Sequence, residues 1–299
     1  AASDVYKRQP VEWEADPELE WCPPGHGDIY TALLASGLLD ALLDKGYRYA
    51  MTANSDNLGA APSARIAGWF AASGAPYAPE MCRRTPADVK GGHLAVRKSD
   101  GRIILRDTAQ TPEDQMHYFT DQFRHPFFHT NNLWFDLKVL RDTLADRGGI
   151  LGLPLIRNSK TVDPADSSST PVIQLETAMG AAVEAFEGAT AIEVPRSRFL
   201  PVKTTNDLLL VRSDVYEVDD DGLLQMVPDQ ACTVSLDPRF YKKIQDFEAR
   251  FPDGVPSIKD AQSLTVEGDW TFGADVVATG EAHVEAEGSP GRIADGTRI

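Results

Sequence analysis

Along the first two thirds of the chain the apolar positions switch between a helical and an extended period, and the switches mark out the elements. In 28–44 the residues Ile29, Leu33, Leu34, Leu38 and Leu42 recur at the spacing of one helix face, and Gly46 follows as a stop. Residues 47–53 are short, aromatic and apolar and run into Asn54-Ser55-Asp56-Asn57 and Gly59, which predicts a buried strand opening into a loop. A second helix is predicted over 61–73, and a hairpin over 93–107, where two β-type runs flank Ser99-Asp100-Gly101. Further predictions are a helix over 112–122, a strand then loop over 127–136, helices over 137–146 and 172–186, and a short strand over 191–194. Helices alternating with short apolar strands imply an α/β domain on a mainly parallel sheet.

Past residue 236 the texture changes. Residues 237–252 have the pattern of an amphipathic linker helix, and beyond them β-type runs are punctuated by Gly268, Gly273, Gly280, Gly288 and Gly291. Small and β-branched residues in 270–288 follow a rhythm of roughly six, which predicts the coils of a small β-helix. Residues 1–9 (AASDVYKRQ) resemble translated adapter sequence and are set aside from fold reasoning. That leaves an α/β domain over 10–236 and a linker helix with β-helix over 237–299, in a chain long enough to bury a real core.

The formal net charge of −16 narrows the partners. Acidic residues continue through Asp219, Asp220, Asp221, Glu281, Glu285 and Glu287, a surface that repels nucleic acid and anionic lipid. A small phosphorylated substrate then needs a local cationic pocket and a divalent metal. No apolar run is long enough to cross a bilayer and no cleavable signal pattern is present, so the cytoplasm is expected. Cys22, Cys82 and Cys232 are too few and too far apart for a zinc knot or a disulfide framework, and read as small buried thiols.

Five stretches carry candidate chemistry. Pro23-Pro24-Gly25-His26-Gly27-Asp28 opens a helix, where backbone N–H groups and His26 can meet a phosphate; equally, Asp28 caps a plain Pro-Gly turn. Asn54-Ser55-Asp56-Asn57 lies at a strand's carboxyl end, where open α/β sheets place ligands and a carboxylate can hold Mg²⁺, or where Asx-turns form. Arg84 to His93 contains Gly91-Gly92, which lets backbone reach a sugar hydroxyl or simply makes a turn. Asn131-Asn132 offers neutral amides suited to hydroxyls, as many polar loops do. Arg196, Arg198 and Lys203 gather three cations within eight residues, a polyphosphate grip or a solvated basic stretch. No Ser-His-Asp or Cys-His arrangement supports a covalent intermediate.

Taken in order, PPGHGDIY (23–30), NSDNLGA (54–60), RTPADVKGG (84–92), TNNLW (130–134), QLETAMGAA (174–182) and VPRSRFLPVKTTNDLLLV (194–211) closely resemble the UTP–glucose-1-phosphate uridylyltransferase family, from about Pro10 to the C-terminus. The resemblance implies a Rossmann-like nucleotide-diphospho-sugar transferase domain followed by a left-handed β-helix that can serve homo-oligomer contacts. The implied reaction joins UTP and glucose 1-phosphate into UDP-glucose and pyrophosphate with Mg²⁺, by in-line attack of the sugar phosphate on the α-phosphorus. It assigns Gly25, His26 and Asp56 to the nucleotide, Asp56 also to the metal, and Asn54, Gly92, Asn131 and Glu176 to the sugar. Lys203 is assigned to charge developing on phosphate.

Two features depart from the family pattern. His129 stands where the family commonly has Asn, and nothing before Pro10 supplies the family's Gly-rich loop and lysine. The chain is therefore expected to be truncated at its N-terminus, and weak or inactive by itself: little pyrophosphate is expected from UTP, glucose 1-phosphate and Mg²⁺. A same-class alternative is a pyrophosphorylase for UDP-galactose or a UDP-N-acetylhexosamine. An alternative of another class is a β-helix acyltransferase or a purely assembling fragment, which predicts acyl-CoA dependence or oligomerisation without nucleotide binding and leaves the upstream blocks unexplained.

Overall fold

Residues 3–4, 9–84, 88, 91–108, 111–220 and 222–299 are described by the structure, a computed structural model. Thr85 to Ala87, Val89 and Lys90 of the third candidate stretch, and Asp221, lie outside the described residues. Compactness divides the chain elsewhere than its texture does: one unit comprises the chain up to Asn54 with Pro62–Pro195, the other Ser55–Ala61 with Arg196–Ile299.

The first unit holds strands β1 (Ser3–Asp4), β2 (Tyr49–Thr52), β3 (Tyr77–Arg83), β4 (His93–Val96), β5 (Ile103–Arg106), β6 (Phe127–Asp136), β7 (Leu155–Thr161), β8 (Pro171–Thr177) and β9 (Ile192–Glu193). Its helices are α1 (Ile29–Ala35), α2 (Leu38–Asp44), α3 (Ala64–Ser73), α4 (Met116–Phe119) and α5 (Leu137–Asp146). The main sheet runs β2-β6-β3-β9, with β4-β5 a hairpin and β1-β8-β7 a separate antiparallel sheet. The expectation of a mainly parallel sheet is corrected here. β6 is antiparallel to both its neighbours and only β3–β9 is parallel, so the sheet is mixed.

Local chemistry explains the elements that were missed. In β3, Pro79 and Glu80 hide the strand pattern. Glu80 is nevertheless fully buried, because its carboxylate accepts from Asn132 Nδ2 at 3.0 Å and Trp134 Nε1 at 2.9 Å on the neighbouring strand. The predicted helix 28–44 breaks in two at Gly37, whose φ of 73° lies in the left-handed region. The predicted helix 172–186 is instead β8 followed by a 3-10 segment, Met179–Ala185, because β8 pairs along its whole length with β7. Of 112–122, only a 3-10 turn, Glu113–Gln115, and the one-turn α4 form. Helix α5 matches its prediction: Asp136 caps it by accepting from the N–H groups of Lys138 and Val139, and Leu137, Leu140 and Leu144 bury one face.

In the second unit, β10 (Tyr216–Val218) pairs with β11 (Leu224–Met226). The others are β12 (Thr233–Leu236), β13 (Ala261–Val266), β14 (Trp270–Phe272), β15 (Gly280–Val284) and β16 (Gly291–Ile293), with helices α6 (Thr205–Arg212), α7 (Pro238–Tyr241) and α8 (Ile244–Arg250). The C-terminal left-handed β-helix expected from the tail is corrected. Strands begin at Ala261, Trp270, Gly280 and Gly291, intervals of nine to eleven residues, so the six-residue rhythm does not set them. They sort instead into two small parallel sheets, β12-β13-β15 and β14-β16, the first of which draws β12 from before the change in texture. Their packing partner is an aromatic cluster, Phe247, Phe251 and Phe272, with ring centroids 4.8 Å apart along the series. The linker helix is likewise interrupted, since α7 ends at Tyr241 and α8 begins at Ile244.

Candidate active site

Six of the residues singled out in the sequence fall in the first unit, and neighbouring contacts connect them. Asn131 Nδ2 donates to Asn54 Oδ1 at 3.0 Å, joining the carboxyl end of β2 to β6. Asn131 has φ 65°, a left-handed geometry that Asn tolerates, and its N–H donates to His129 Nδ1 at 3.0 Å. The N–H of His129 donates to the Gly92 carbonyl at 2.7 Å. A Cβ on Gly92 would lie 3.2 Å from Asp107 Oδ2, so the strand end carrying Gly92 rests against that carboxylate. His26 feels both Asp107 and Glu176, and His129 feels His26.

The turn before α1 is fastened to β8. Thr177 donates its N–H to the Pro24 carbonyl at 3.0 Å, and Met179 donates its N–H to His26 Nδ1 at 2.8 Å. Gly25, with φ 85°, and Gly27 are required by this packing: a Cβ on either would meet Thr177, at 2.6 Å from its carbonyl oxygen in the case of Gly25. Because Nδ1 accepts, a neutral His26 carries its proton on Nε2, and that N–H is the group it can offer a ligand. Desolvation lowers its pKa below the ordinary histidine value, with Glu176 and Asp107 pulling the other way. Glu176 accepts from Asn158 Nδ2 at 2.8 Å and from Gln174 Nε2 at 2.6 Å, which fixes its carboxylate on β8.

His129 is wholly different in setting. Burial, and secondarily His26, pushes its pKa down to about 4, so it is neutral, with Nδ1 holding Asn131 and a buried Nε2 that has no hydrogen-bond partner among the described residues. Gly180 packs against that edge of the ring.

The second unit carries Asp56 and Lys203 on touching segments. Val202 donates its N–H to the Asp56 carbonyl at 2.9 Å, Leu58 donates to the Leu200 carbonyl at 3.0 Å, and Asn57 Oδ1 accepts from Leu200 at 2.8 Å. Gly59 lies so close to Ser197 and Arg198 that no Cβ fits. The three expected cations have separate fates. Arg198 donates to the Ala61 carbonyl at 2.5 Å and Arg196 lies over the Phe199 ring at 5.4 Å, so both brace the segment. Lys203 is exposed, and its ammonium has no ion-pair partner among the described residues. Its backbone N–H donates to Asp207 Oδ2 at 3.0 Å, placing the residue directly before α6.

Among the described residues, no group of three or more His, Cys, Asp or Glu side chains could hold a metal by itself. The Asp56 carboxylate is free of any hydrogen bond or ion pair among the described residues, and a lone carboxylate of this kind can serve an ion such as Mg²⁺ that keeps most of its waters. Asp107 escaped the sequence reading. Its only signal was a carboxylate at the end of a hairpin strand.

The sequence model described as UTP–glucose-1-phosphate uridylyltransferase matches residues 4–278. The chain belongs to the UTP–glucose-1-phosphate uridylyltransferase family. Relatives carrying that name include those of Solanum tuberosum, 41% identical over 93% of this chain and 57% of that protein, and Saccharomyces cerevisiae, 40% identical over 92% and 55%. The chain thus spans a little over half the length of these uridylyltransferases. A Trypanosoma brucei structure described as UDP-glucose phosphorylase is similar with a TM-score of 0.87 and 44% identity, covering 100% of this chain and 64% of that one. A mutant UDP-glucose pyrophosphorylase from Leishmania major, solved in complex with UDP-glucose, is similar with the same TM-score and identity over 99% of this chain and 65% of that one. The likeness extends across the tail, whose small parallel sheets therefore belong to the pyrophosphorylase fold. No helix among the described residues is long and apolar enough to cross a membrane.

Proposed function

We propose that the parent enzyme forms UDP-glucose and pyrophosphate from UTP and glucose 1-phosphate, and that this chain supplies its sugar-facing and part of its phosphate-facing groups. The observation that carries this reading is the run of contacts from Asn54 through Asn131 and His129 to Gly92, with the His129 ring against Gly180, the neighbouring Met179 N–H on His26, and Gly25 against Glu176, five separate sequence blocks converging in one unit. In the Asn54–Asn131 pair, one amide NH₂ and one carbonyl oxygen are not used between the two, a donor and an acceptor complementary to neighbouring sugar hydroxyls. Gly92 and Glu176 complete the sugar side, and Gly25 keeps the turn close enough for His26 to donate Nε2–H to a phosphate oxygen. In the second unit, Lys203 stabilises charge on the phosphates as the sugar phosphate oxygen attacks the α-phosphorus and pyrophosphate leaves. Asp56 would hold Mg²⁺, which when bound neutralises phosphate charge.

Calorimetric titration of the chain with UDP-glucose tests this. Saturable binding is expected, weakened about tenfold in Asn131→Ala, which removes a hydrogen bond worth about 1.4 kcal/mol. UDP-galactose and UDP-N-acetylglucosamine should bind several-fold more weakly. A folded chain with no affinity for UDP-glucose overturns the reading, and tighter binding of another UDP-sugar moves it to that sugar.

A further inference from the structure

The first unit has a hollow of about 380 Å³ that none of the proposed reaction groups lines. Its floor is apolar, from Met81, Phe127 and Ile192, and its polar wall is His93, His125 and Arg124. That size and composition are those of small-molecule sites. His93 is 1% exposed, yet neither of its ring nitrogens has a hydrogen-bond partner among the described residues. Buried polar atoms are almost always paired in native proteins, so an imidazole with both nitrogens idle at the wall of a hollow points to a missing partner. The ring stacks 3.8 Å from His125 at an interplanar angle of 14° and lies 4.8 Å from Phe119.

The surrounding charge says what that partner is. Burial chiefly, then His125 and after it the cations Arg84 and Arg106, push the pKa of His93 down; at His125 burial again comes first, followed by Arg84, Arg106 and Arg124, with Asp121 pulling the other way. Arg106 donates to Gln115 Oε1 at 3.3 Å and Arg124 lies over the Tyr118 ring at 5.0 Å; neither has a carboxylate partner among the described residues. The one carboxylate at the rim, Glu193, is already paired with Arg83 at 3.4 Å. Two guanidinium groups, Arg106 and Arg124, without a carboxylate partner among the described residues stand out near an apolar floor in a chain of net charge −16. A bare inorganic anion would leave the floor empty, and an uncharged ligand would make no use of the Arg124 guanidinium at the rim.

We propose that this hollow binds a small acid consisting of an apolar, ring-sized body and a single anionic head, with the body on Met81, Phe127 and Ile192 and the head toward His93 and Arg124. None of the residues proposed to meet the sugar or nucleotide lines this hollow. Benzoate serves as the probe, with benzyl alcohol supplying the body without the charge and acetate the charge without the body. Imidazole carbon-bound proton resonances of the histidine-labelled chain report the binding. Benzoate is expected to shift His93 and His125 saturably, with the two controls at least tenfold weaker. Arg124→Gln, an exposed change that preserves folding, should weaken benzoate at least fivefold, and Ile192→Trp should abolish binding by filling the floor. Should Ile192→Trp fail to fold, the probe comparison and Arg124→Gln still decide. Unmoved His93 and His125 resonances, equal binding of benzyl alcohol, or an unchanged affinity in Arg124→Gln would each overturn the proposal.

Discussion

On the proposed reading, His26 divides its two nitrogens between structure and chemistry. Nδ1 accepts from the Met179 N–H at 2.8 Å and fastens the turn to the segment after β8, which leaves Nε2–H to meet a ligand. The two tasks can be separated by isosteres. In His26→Asn the amide oxygen occupies the place of Nδ1, so the thermal midpoint should stay within about 1 °C. The lost donor to phosphate should weaken UDP-glucose about tenfold or more, as expected for hydrogen bonds to charged groups. His26→Gln should do the reverse, leaving the Met179 N–H unpaired and lowering the midpoint while sparing more of the affinity. Calorimetry and thermal unfolding of both variants check this, and equal affinity losses in the two would contradict the division of labour.

At the scale of elements, α6 is the piece that positions its neighbour most directly. Thr204 caps it and Asp207 completes a capping box, and the same Asp207 carboxylate accepts from the Lys203 N–H. Lys203 is thus tied to a helix start by its backbone, while its ammonium stays available. Asp207→Ala should cost about 1 kcal/mol through the lost cap and also loosen Lys203. Thr204→Ala should cost a similar amount with Lys203 still bonded to Asp207. Denaturant unfolding measures the first effect, and only Asp207→Ala should also weaken nucleotide binding. Strand β6 makes a comparable point in the first unit. Its pattern was legible as a strand opening into a loop, but it continues for ten residues because the left-handed Asn131 is accommodated within the ladder.

For the whole molecule, histidine protonation sets the acid limit before the carboxylates do. His93 and His129 are held at about 3 and about 4, below the ordinary value of 6.5, with burial the first cause in each. Between pH 6.5 and 4 the unfolded chain therefore binds protons that the folded chain refuses. Stability is full above about pH 6.5 and falls as the pH drops, at about 1.4 kcal/mol per unit for each such histidine. The Asp237 carboxylate, which Arg239 and the Gly268 N–H hold well below the usual range, contributes in the same direction but only below about pH 4. Denaturant midpoints across pH 7 to 4.5 should show the steeper histidine slope, and His129→Asn should flatten it. A midpoint independent of pH in that window would contradict the buried, neutral state of both rings.

Much was legible in the sequence where one residue type satisfies one local rule. Helix α5, the β4-β5 hairpin and the C-terminal end of α3 follow from periodicity, turn glycines and caps, and the motif blocks singled out Gly25, His26, Asn54, Asp56, Gly92, Asn131, Glu176 and Lys203 as the candidates on which the proposed function is built. What tertiary structure alone decided depends on partners distant along the chain. Glu80 is buried in a strand because Asn132 and Trp134 meet its carboxylate, and β8 is extended because β7 lies beside it. The tail's glycines serve two small parallel sheets because an aromatic core covers them. Asp107 likewise joins the site only through the folding of the hairpin toward Gly92 and His26. Local propensity is encoded residue by residue, whereas burial and pairing are properties of the closed chain, and they override it wherever the two compete.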